Sequence, residues 1–162
     1  IYIVGKTKEE LGGSEYGDIF GYENIHVPEV DAKKALSLYK TFSKANKQKL
    51  ISSAISVHMG GIGVALSKMA IASQLGMTID LSKINSFGTS NTLFSESQSR
   101  IIISIKSENK KSVEKLFQNQ DLNFLGKCHS TKIVSMEISN NNSFRVSIKD
   151  LAKKYRKNIN KL

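Results

Sequence analysis

The chain has no tryptophan, a single proline and a single cysteine among its 162 residues. One cysteine, Cys128, cannot form an internal disulfide, and this scarcity is typical of proteins from a reducing cytoplasm. Cys128 is followed by His129, but a structural zinc site needs four ligands and no second pair stands at metal-binding spacing. We therefore predict a half-buried strand thiol, no metal site and a cytoplasmic location.

Long apolar runs are also missing from the sequence. None approaches the ~20 residues that a helix needs to cross a bilayer, so we predict no membrane contact. The chain begins at Ile1, directly in an apolar stretch, without a methionine or a recognisable leader. A chain of this length suits one domain with its own core. We expect residues 1–162 to form a single domain, a fragment of a longer chain.

The formal net charge of +10 is concentrated in two basic segments. Six lysines between Lys33 and Lys49 have no acidic residue among them, and residues 149–162, a basic C-terminal helix or tail, carry +5. Both segments have helical periodicity, for which a solvated lysine face is the ordinary outcome. Because no aromatic platform or nucleic-acid motif accompanies them, we predict no nucleic-acid partner. A basic module that docks on RNA or on an acidic partner is the alternative.

Apolar periodicity predicts strands and helices without regular alternation. Strands are predicted at residues 1–4, 50–57, 77–81, 101–105, 132–138 and 144–148, and residues 121–126 lead into another strand that ends at 129. Helices are predicted at residues 31–45, 62–75, 109–117 and from about 150 onward. This mixture favours an α+β fold, in which helices pack on a mixed, largely antiparallel sheet.

Local signals fix some boundaries of these elements. Asp31 is the expected N-cap of the first helix, and Gly76 is the expected stop of the second. Residues 17–30 and 82–91 are predicted to be irregular or rich in turns. The first helix is expected to pack on the sheet through Ala35, Leu36, Tyr39 and Phe42.

Two glycine-rich segments at strand ends could carry chemistry. In the loop at residues 6–16, Gly12 and Gly13 allow backbone N–H groups to approach an anion, and Ser14 offers a hydroxyl. Residues 58–63 form a glycine-rich helix start, where a phosphate could meet unpaired N–H donors. The alternative for both is tight turning without a ligand, because glycine pairs punctuate loops generally.

A third polar segment is Ser-Glu-Ser-Gln-Ser-Arg at residues 95–100. Glu96 could bind magnesium or accept a hydrogen bond from a ribose hydroxyl, and Gln98 can both donate and accept. Arg100 could pair with a phosphate. A solvated loop is the alternative. The candidate substrate- or phosphate-binding residues are Gly12, Gly13, Ser14, Glu96, Ser97, Gln98 and Arg100, and no catalytic residue is identified.

Taken in order, the three segments resemble one family. The sequences GKTKEELGGSEY at residues 5–16, MGGIGVALSKMAIASQLG at 59–76 and LFSESQSR at 93–100 are similar to the phosphoribosylformylglycinamidine synthase family, within the aminoimidazole ribonucleotide synthetase superfamily. The resemblance is to the carboxy-terminal domain of the second half of these enzymes. It is densest over residues 5–105. A selenophosphate synthetase-like enzyme is the alternative within the superfamily.

The resemblance implies an α/β sandwich domain in an ATP-dependent carbon–nitrogen ligase of purine biosynthesis. Such enzymes convert formylglycinamide ribonucleotide, ATP and glutamine-derived ammonia into formylglycinamidine ribonucleotide, with Mg²⁺ on the nucleotide phosphates. Their partners are the remainder of the synthetase chain, a glutaminase subunit and a small accessory subunit. In these enzymes the catalytic histidine and most nucleotide and magnesium ligands belong to regions absent from this chain, so the domain is expected to hold no cofactor by itself.

Residue by residue, the resemblance transfers little chemistry. Glu96, Ser97 and Gln98 match a Glu-Ser-Gln segment that contacts the ribonucleotide in the first half of such enzymes. In the second half this segment should border the duplicate pocket, often an auxiliary nucleotide site. Many members have His-Asp shortly before the glycine pair, where this chain has Ile55 and Ser56. We therefore expect a scaffold and pocket wall that is inactive alone.

Overall fold

The apolar opening of the chain forms the centre of the first sheet. In this computed structural model, β1 (Tyr2–Val4) lies between β4 (Arg100–Ser104) and β5 (Leu122–Phe124), and β2 (Ser53–Val57) lies outside β4. All three pairings are antiparallel. The structure describes residues 1–22, 26–139 and 142–159.

The second sheet has a different topology. Its strand order is β6 (Gly126–His129), β3 (Gly76–Asp80), β7 (Ile133–Ser139) and β8 (Asn142–Ser147). β3 and β7 are parallel, and the other two pairings are antiparallel. The predicted α+β class and the largely antiparallel pairing are confirmed, whereas the division of the strands between two sheets was not predicted.

The chain passes from the first sheet to the second at Gly126. The sequence predicts that residues 121–126 lead into one strand that ends at residue 129. The structure instead has two short strands there, β5 in the first sheet and β6 in the second. A Cβ at Gly126 would lie 1.9 Å from the carbonyl oxygen of Thr78. Because only glycine allows the two backbones to come this close, this residue sets the point where the sheets divide.

Six α-helices lie in the described part of the chain. They are α1 (Glu15–Phe20), α2 (Ala32–Lys47), α3 (Gly61–Ser73), α4 (Gly88–Phe94), α5 (Lys110–Leu116) and α6 (Ile148–Ile159). α6 lies where a helix is predicted from about residue 150 onward and is described as far as Ile159; residues 160–162 of the predicted helix or tail lie outside the described residues.

α3 lies in the larger of two apolar clusters. Ile62 and Leu66 of this helix pack with Ile3 and Ile102 of the first sheet and Ile79 of the second. The other face of the first sheet forms the smaller cluster with α2 and α5, through Tyr2, Val4, Leu38, Ala45, Ile101, Ile103, Val113 and Phe117. β1 and β4 are therefore buried on both faces, which accounts for their uninterrupted apolar sequences.

α2 confirms the predicted helix and its N-cap but not the predicted buried face. The Asp31 carboxylate accepts a hydrogen bond from the backbone N–H of Lys34 at 3.0 Å. Leu36 and Tyr39, expected in the core, are 55% and 48% exposed. The helix instead faces the sheet through Ala35, Leu38, Phe42 and Ala45. These positions are spaced by three or four residues and so form one stripe, to which Leu36 and Tyr39 do not belong.

Two short helices occupy segments that the sequence predicts to be irregular. α1 lies at the start of the first such segment, and α4 begins within the second. Neither spans more than seven residues, so neither is long enough for an apolar period to stand out. Both helices pack at the candidate site described below, and their omission is the largest error in the predicted secondary structure.

Two smaller predictions are also wrong. α3 ends before Gln74, whose φ of +54° caps the helix, and Gly76 is the first residue of β3. A Cβ at Gly76 would lie 2.3 Å from the carbonyl oxygen of Thr131, so this glycine serves close strand packing. Cys128 is exposed and not half-buried, because β6 is an edge strand of the second sheet.

Candidate functional site

The opening loop and residues 95–100 are joined by serine hydroxyls. The Ser95 hydroxyl donates to the carbonyl oxygen of Lys8 at 2.8 Å and lies 2.9 Å from the Ser97 hydroxyl. The backbone N–H of Lys8 donates in turn to the Ser97 hydroxyl at 3.1 Å. Both serines are fully buried. The first and third polar segments of the sequence therefore form one packed unit, although about ninety residues separate them.

The buried side chain of Arg100 connects the two segments of this unit. Its Nε donates to the carbonyl of Ser97 at 2.8 Å, Nη1 to the hydroxyl of Thr7 at 3.0 Å, and Nη2 to the carbonyl of Ser95 at 2.5 Å. The residue is only 1% exposed. Each guanidinium nitrogen thus has a protein acceptor, and the side chain fixes the turn from Ser95 to Ser99 against the opening loop.

Glu96 connects this unit to the glycine-rich start of α3. Its Oε1 accepts the backbone N–H of Gly60 at 2.9 Å and that of Glu15 at 3.0 Å. The carboxylate therefore sits at the N-terminal ends of α3 and α1 together, where the helix dipoles favour a negative charge. All three polar segments converge on this one oxygen. Glu96 already occupies a position in which a bound phosphate would accept the N–H of Gly60.

The glycine pair of the opening loop divides between a buried and an exposed residue. Gly12 is buried and donates its N–H to the carbonyl of His26 at 2.9 Å. Gly13 is exposed, with a φ of +65° and open space where a Cβ would stand. Ser14 is the N-cap of α1, because its hydroxyl accepts the N–H of Gly17 at 3.2 Å and donates to the carbonyl of Leu11.

Gln98 is the exposed member of the third segment and lines a cavity. The cavity has a volume of about 370 Å³ and lies between the opening loop, α2 and residues 119–121. Its charged lining residues are Lys6, Lys8, Lys34, Glu29, Asp31 and Asp121. Three cations and three carboxylates leave the lining without net charge. The cavity thus offers both hydrogen-bond donors and acceptors to a polar ligand.

Glu10 and Arg100 are the titratable groups most affected by burial in this unit. Oε1 of Glu10 accepts from Lys8 Nζ at 3.0 Å and from the backbone N–H of Glu29 at 3.2 Å. Burial opposes ionisation of Glu10, but hydrogen bonds from Ser97, Lys8 and Glu29 outweigh it and lower the pKa of the carboxyl. Burial lowers the pKa of Arg100 to about 10, against the attraction of Glu10 and Glu96. Arg100 therefore stays charged at neutral pH.

An aromatic cluster that the sequence analysis missed flanks the site. Tyr16 of α1 stacks on Phe94 of α4 with ring centroids 5.2 Å apart. The Tyr16 ring is also in contact with the rings of Phe20 and Tyr22. The Tyr16 hydroxyl lies 3.0 Å from the hydroxyl of Ser90. These contacts dock α1 on α4, and the only sequence signal for them was the group of aromatic residues beside the glycine pair.

The described residues contain no group of three or more His, Cys, Asp or Glu side chains able to hold a metal ion. His58, beside the glycine-rich start of α3, is exposed, and the His129 ring lies within hydrogen-bonding distance of Thr78 and Thr131. Among the residues that the structure describes, the side chains do not fit a magnesium centre. None of the helices in the described part of the chain combines the length and hydropathy that a membrane span requires.

Comparison with known families identifies most of the chain. The family described as AIR synthase related protein, C-terminal domain, matches residues 1–138. Phosphoribosylformylglycinamidine synthase subunit PurL of Methanocaldococcus jannaschii is 31% identical over 158 residues, covering 96% of this chain and 21% of the relative. The subunit of the same name from Sulfurovum sp. is 42% identical over 106 residues, covering 65% and 14%. The chain therefore spans about a fifth of the length of the curated relatives that it matches.

Solved structures show the same fold. Thermotoga maritima PurL complexed with FGAR matches with a TM-score of 0.78 at 16% identity, over 93% of this chain and 27% of that one. The hydrogenase maturation protein HypE of E. coli matches with a TM-score of 0.64 at 13% identity, over 91% and 49%. At these identities the likeness concerns the fold alone. The resemblance of the three polar segments to this synthetase family is confirmed by the sequence matches.

Proposed function

The chain belongs to the family of C-terminal domains of AIR synthase related proteins, and we propose that it is the C-terminal domain of the second half of phosphoribosylformylglycinamidine synthase. The proposal takes residues 1–162 as one domain of that larger enzyme. Its support is the similarity to PurL subunits along nearly the whole chain, together with the short share of their length that the chain spans.

The reaction proposed for the complete enzyme is the ATP-dependent amidation of formylglycinamide ribonucleotide. ATP phosphorylates the amide oxygen of the substrate, and ammonia then displaces phosphate to give formylglycinamidine ribonucleotide, with ADP as the second product. Magnesium ions on the nucleotide phosphates belong to other parts of that enzyme in this proposal, and no step runs through a metal in this chain. The proposed setting is the cytoplasm, with the remaining synthetase chain, a glutaminase subunit and a small accessory subunit as partners.

Within that enzyme, this domain would supply scaffold and one wall of a ligand pocket. The observation that carries this role is the convergence of all three polar segments on the Glu96 carboxylate. Four of the candidate residues form hydrogen bonds to other parts of the protein through their side chains and would position the wall: Ser14, Glu96, Ser97 and Arg100. Gly12 is buried and would also belong to the scaffold. Gln98 and Gly13 are exposed and would face the ligand.

The test of the reaction compares the full-length protein with the isolated chain. With formylglycinamide ribonucleotide, ATP, Mg²⁺ and ammonia, the full-length protein should release ADP only when the ribonucleotide is present. The isolated chain should release none. ADP release by the full-length protein that depends on selenide, and not on the ribonucleotide, would replace this proposal with a selenophosphate synthetase-like function. Turnover by the isolated chain would contradict the scaffold role.

The ligand-facing role of Gln98 has its own test. In the full-length protein, Gln98→Ala should weaken the binding of ADP or of the ribonucleotide, measured by calorimetry, about fivefold, the loss of about one hydrogen bond. Gln48→Ala is the matched control, because Gln48 is exposed at the end of α2 and outside the cavity. Equal affinities for both ligands in the two variants and the parent would remove Gln98 from the pocket wall.

A further inference from the structure

A basic groove lies at the C-terminal end of α3. It has a volume of about 670 Å³ and runs between Gln74, the loop before β7 and one side of α6. The charged residues that line it are Lys132, Lys149, Lys153, Arg156 and Lys157. Among the described residues, none that lines the groove is acidic. The groove thus gathers five positive charges, half the formal net charge of the chain.

The spacing along α6 explains why these cations share one side. Lys149, Lys153 and Lys157 are four residues apart, and Arg156 is seven residues from Lys149, so all four point the same way from the helix. Asp150, the acidic residue of the first turn, instead accepts from the hydroxyl of Ser147 at 2.6 Å. Within the described part of the chain, none of the four cations forms an ion pair.

The groove is separate from the candidate site. Gln74 follows the last turn of α3, whereas Glu96 accepts the N–H of Gly60, the residue immediately before its first turn. With thirteen residues in the helix and a rise of about 1.5 Å for each, the two ends are about 20 Å apart. The groove residues have no part in the hydrogen bonds that hold the pocket wall.

Like charges gathered without counter-charges repel one another, so a partner of opposite sign would stabilise the groove. Besides the five cations, the lining includes the apolar residues Ile148 and Ala152. None of the residues lining it is aromatic, so it lacks the stacking platform on which proteins hold single-stranded nucleic acid. We propose that this groove docks an acidic segment of another protein, whose carboxylates bind the cations.

The test uses the full-length protein with two fluorescent probes of equal formal charge. One is a synthetic peptide of glutamate and leucine, and the other is oligouridylate. We expect the peptide to bind at about 0.05 M NaCl, and to bind at least tenfold more weakly at about 0.3 M, because salt screens exposed charges. Tighter binding of oligouridylate than of the peptide would overturn the proposal in favour of a nucleic-acid surface. Absence of peptide binding at low salt would overturn it as well.

A pair of variants with equal charge change locates the binding. The groove variant carries Lys149→Gln, Lys153→Gln and Lys157→Gln, and the control carries Lys40→Gln, Lys44→Gln and Lys47→Gln on exposed positions of α2. The groove variant should bind the peptide about tenfold more weakly, at a fraction of a unit of log affinity for each lost ion pair. The control should stay within about twofold of the parent. Equal weakening in both variants would overturn the proposal, because the binding would then depend on net charge alone. Circular dichroism checks that both variants are folded.

Discussion

The charged side chains at the two ends of α3 differ in burial and in hydrogen bonding. At its N-terminal end, Glu96, Glu10 and Arg100 are buried or half-buried, and each is hydrogen-bonded to the protein. At its C-terminal end, Lys149 and Arg156 are exposed and line a groove in which no described lining residue is acidic. Charges of the first kind are used to hold the chain together, whereas charges of the second kind remain available for a partner.

The charges at one end of α3 contribute to stability, whereas those at the other end are free to contribute to binding. A buried charge that is removed leaves its partners without hydrogen bonds, and those unsatisfied groups cost free energy of folding. An exposed charge that is removed exposes nothing, so stability scarcely changes. Substitutions at the N-terminal end of α3 should therefore lower the free energy of unfolding, and those at the C-terminal end should affect only association.

The largest difference in stability is expected between a variant of the buried Arg100 and one of the exposed Arg156. Arg100→Met should lower the free energy of unfolding by about 3 kcal/mol or more, because two buried carbonyls and the Thr7 hydroxyl lose their donor. Arg156→Met should change it by less than about 0.5 kcal/mol. Urea denaturation followed by circular dichroism measures both values. Similar losses in the two variants would break the comparison between the two ends of the helix.

The next prediction concerns the close packing of α3 against α4 at the start of α3. It compares two glycines that have nearly the same φ. Gly61 and Gly13 have φ values of +64° and +65°. A Cβ at Gly61 would lie 2.5 Å from the carbonyl oxygen of Leu93, whereas nothing lies within 4 Å of one at Gly13. Gly13→Ala should cost about 1 kcal/mol for the left-handed backbone. Gly61→Ala should cost about 2 kcal/mol more, because the α3–α4 packing must open.

Thermal and urea denaturation of the two alanine variants provide the measurement. A Gly61→Ala variant no less stable than Gly13→Ala would show that α3 and α4 can separate at no cost. The Glu96 carboxylate would then be positioned by the loops alone.

The candidate site shows what could be predicted from sequence and what could not. The segments that meet there were identified from glycine pairs and clusters of polar residues, which are local signals. Their pairing was not, because Lys8 and Ser97 are 89 residues apart and no local pattern records a contact at that distance. Arg100 illustrates the same limit, since an arginine at a strand start suits a phosphate as well as buried carbonyls.

The fold has the same division between local and long-range information. β4 was found because a continuous apolar sequence indicates burial, and α3 was found because apolar residues recur along it. The two sheets were not separated, because that depends on the contact between Gly126 and Thr78 and not on either sequence alone. α4 was missed because its buried residues include Asn91 and Thr92, which composition assigns to a turn.

A smaller effect is expected for the carboxylate that joins the three segments. Glu96→Ala should lower the free energy of unfolding by about 1–2 kcal/mol, because the N–H groups of Gly60 and Glu15 lose their acceptor. Glu96→Gln keeps an acceptor oxygen and should cost less than Glu96→Ala. Glu108→Ala is the control, since Glu108 is exposed and makes a surface ion pair with Lys106. Equal stability of Glu96→Ala and Glu108→Ala would show that the convergence on Glu96 contributes nothing.

The smallest effect is a change in the acid stability of the N-terminal end. Because hydrogen bonds lower the pKa of Glu10 below its ordinary value of 4.5, the unfolded chain binds a proton there before the folded chain does. The resulting stability is fully present above pH 4.5 and is lost as the pH falls through the folded pKa. Glu10→Gln should therefore lose less stability than the parent between about pH 6 and about pH 3. Asp31 and Asp80, whose pKa values are also lowered, remain in both proteins, so the difference between the two urea midpoint curves belongs to Glu10. Identical curves would mean that the buried carboxylate at this end of α3 gains no more from its partners than an exposed one.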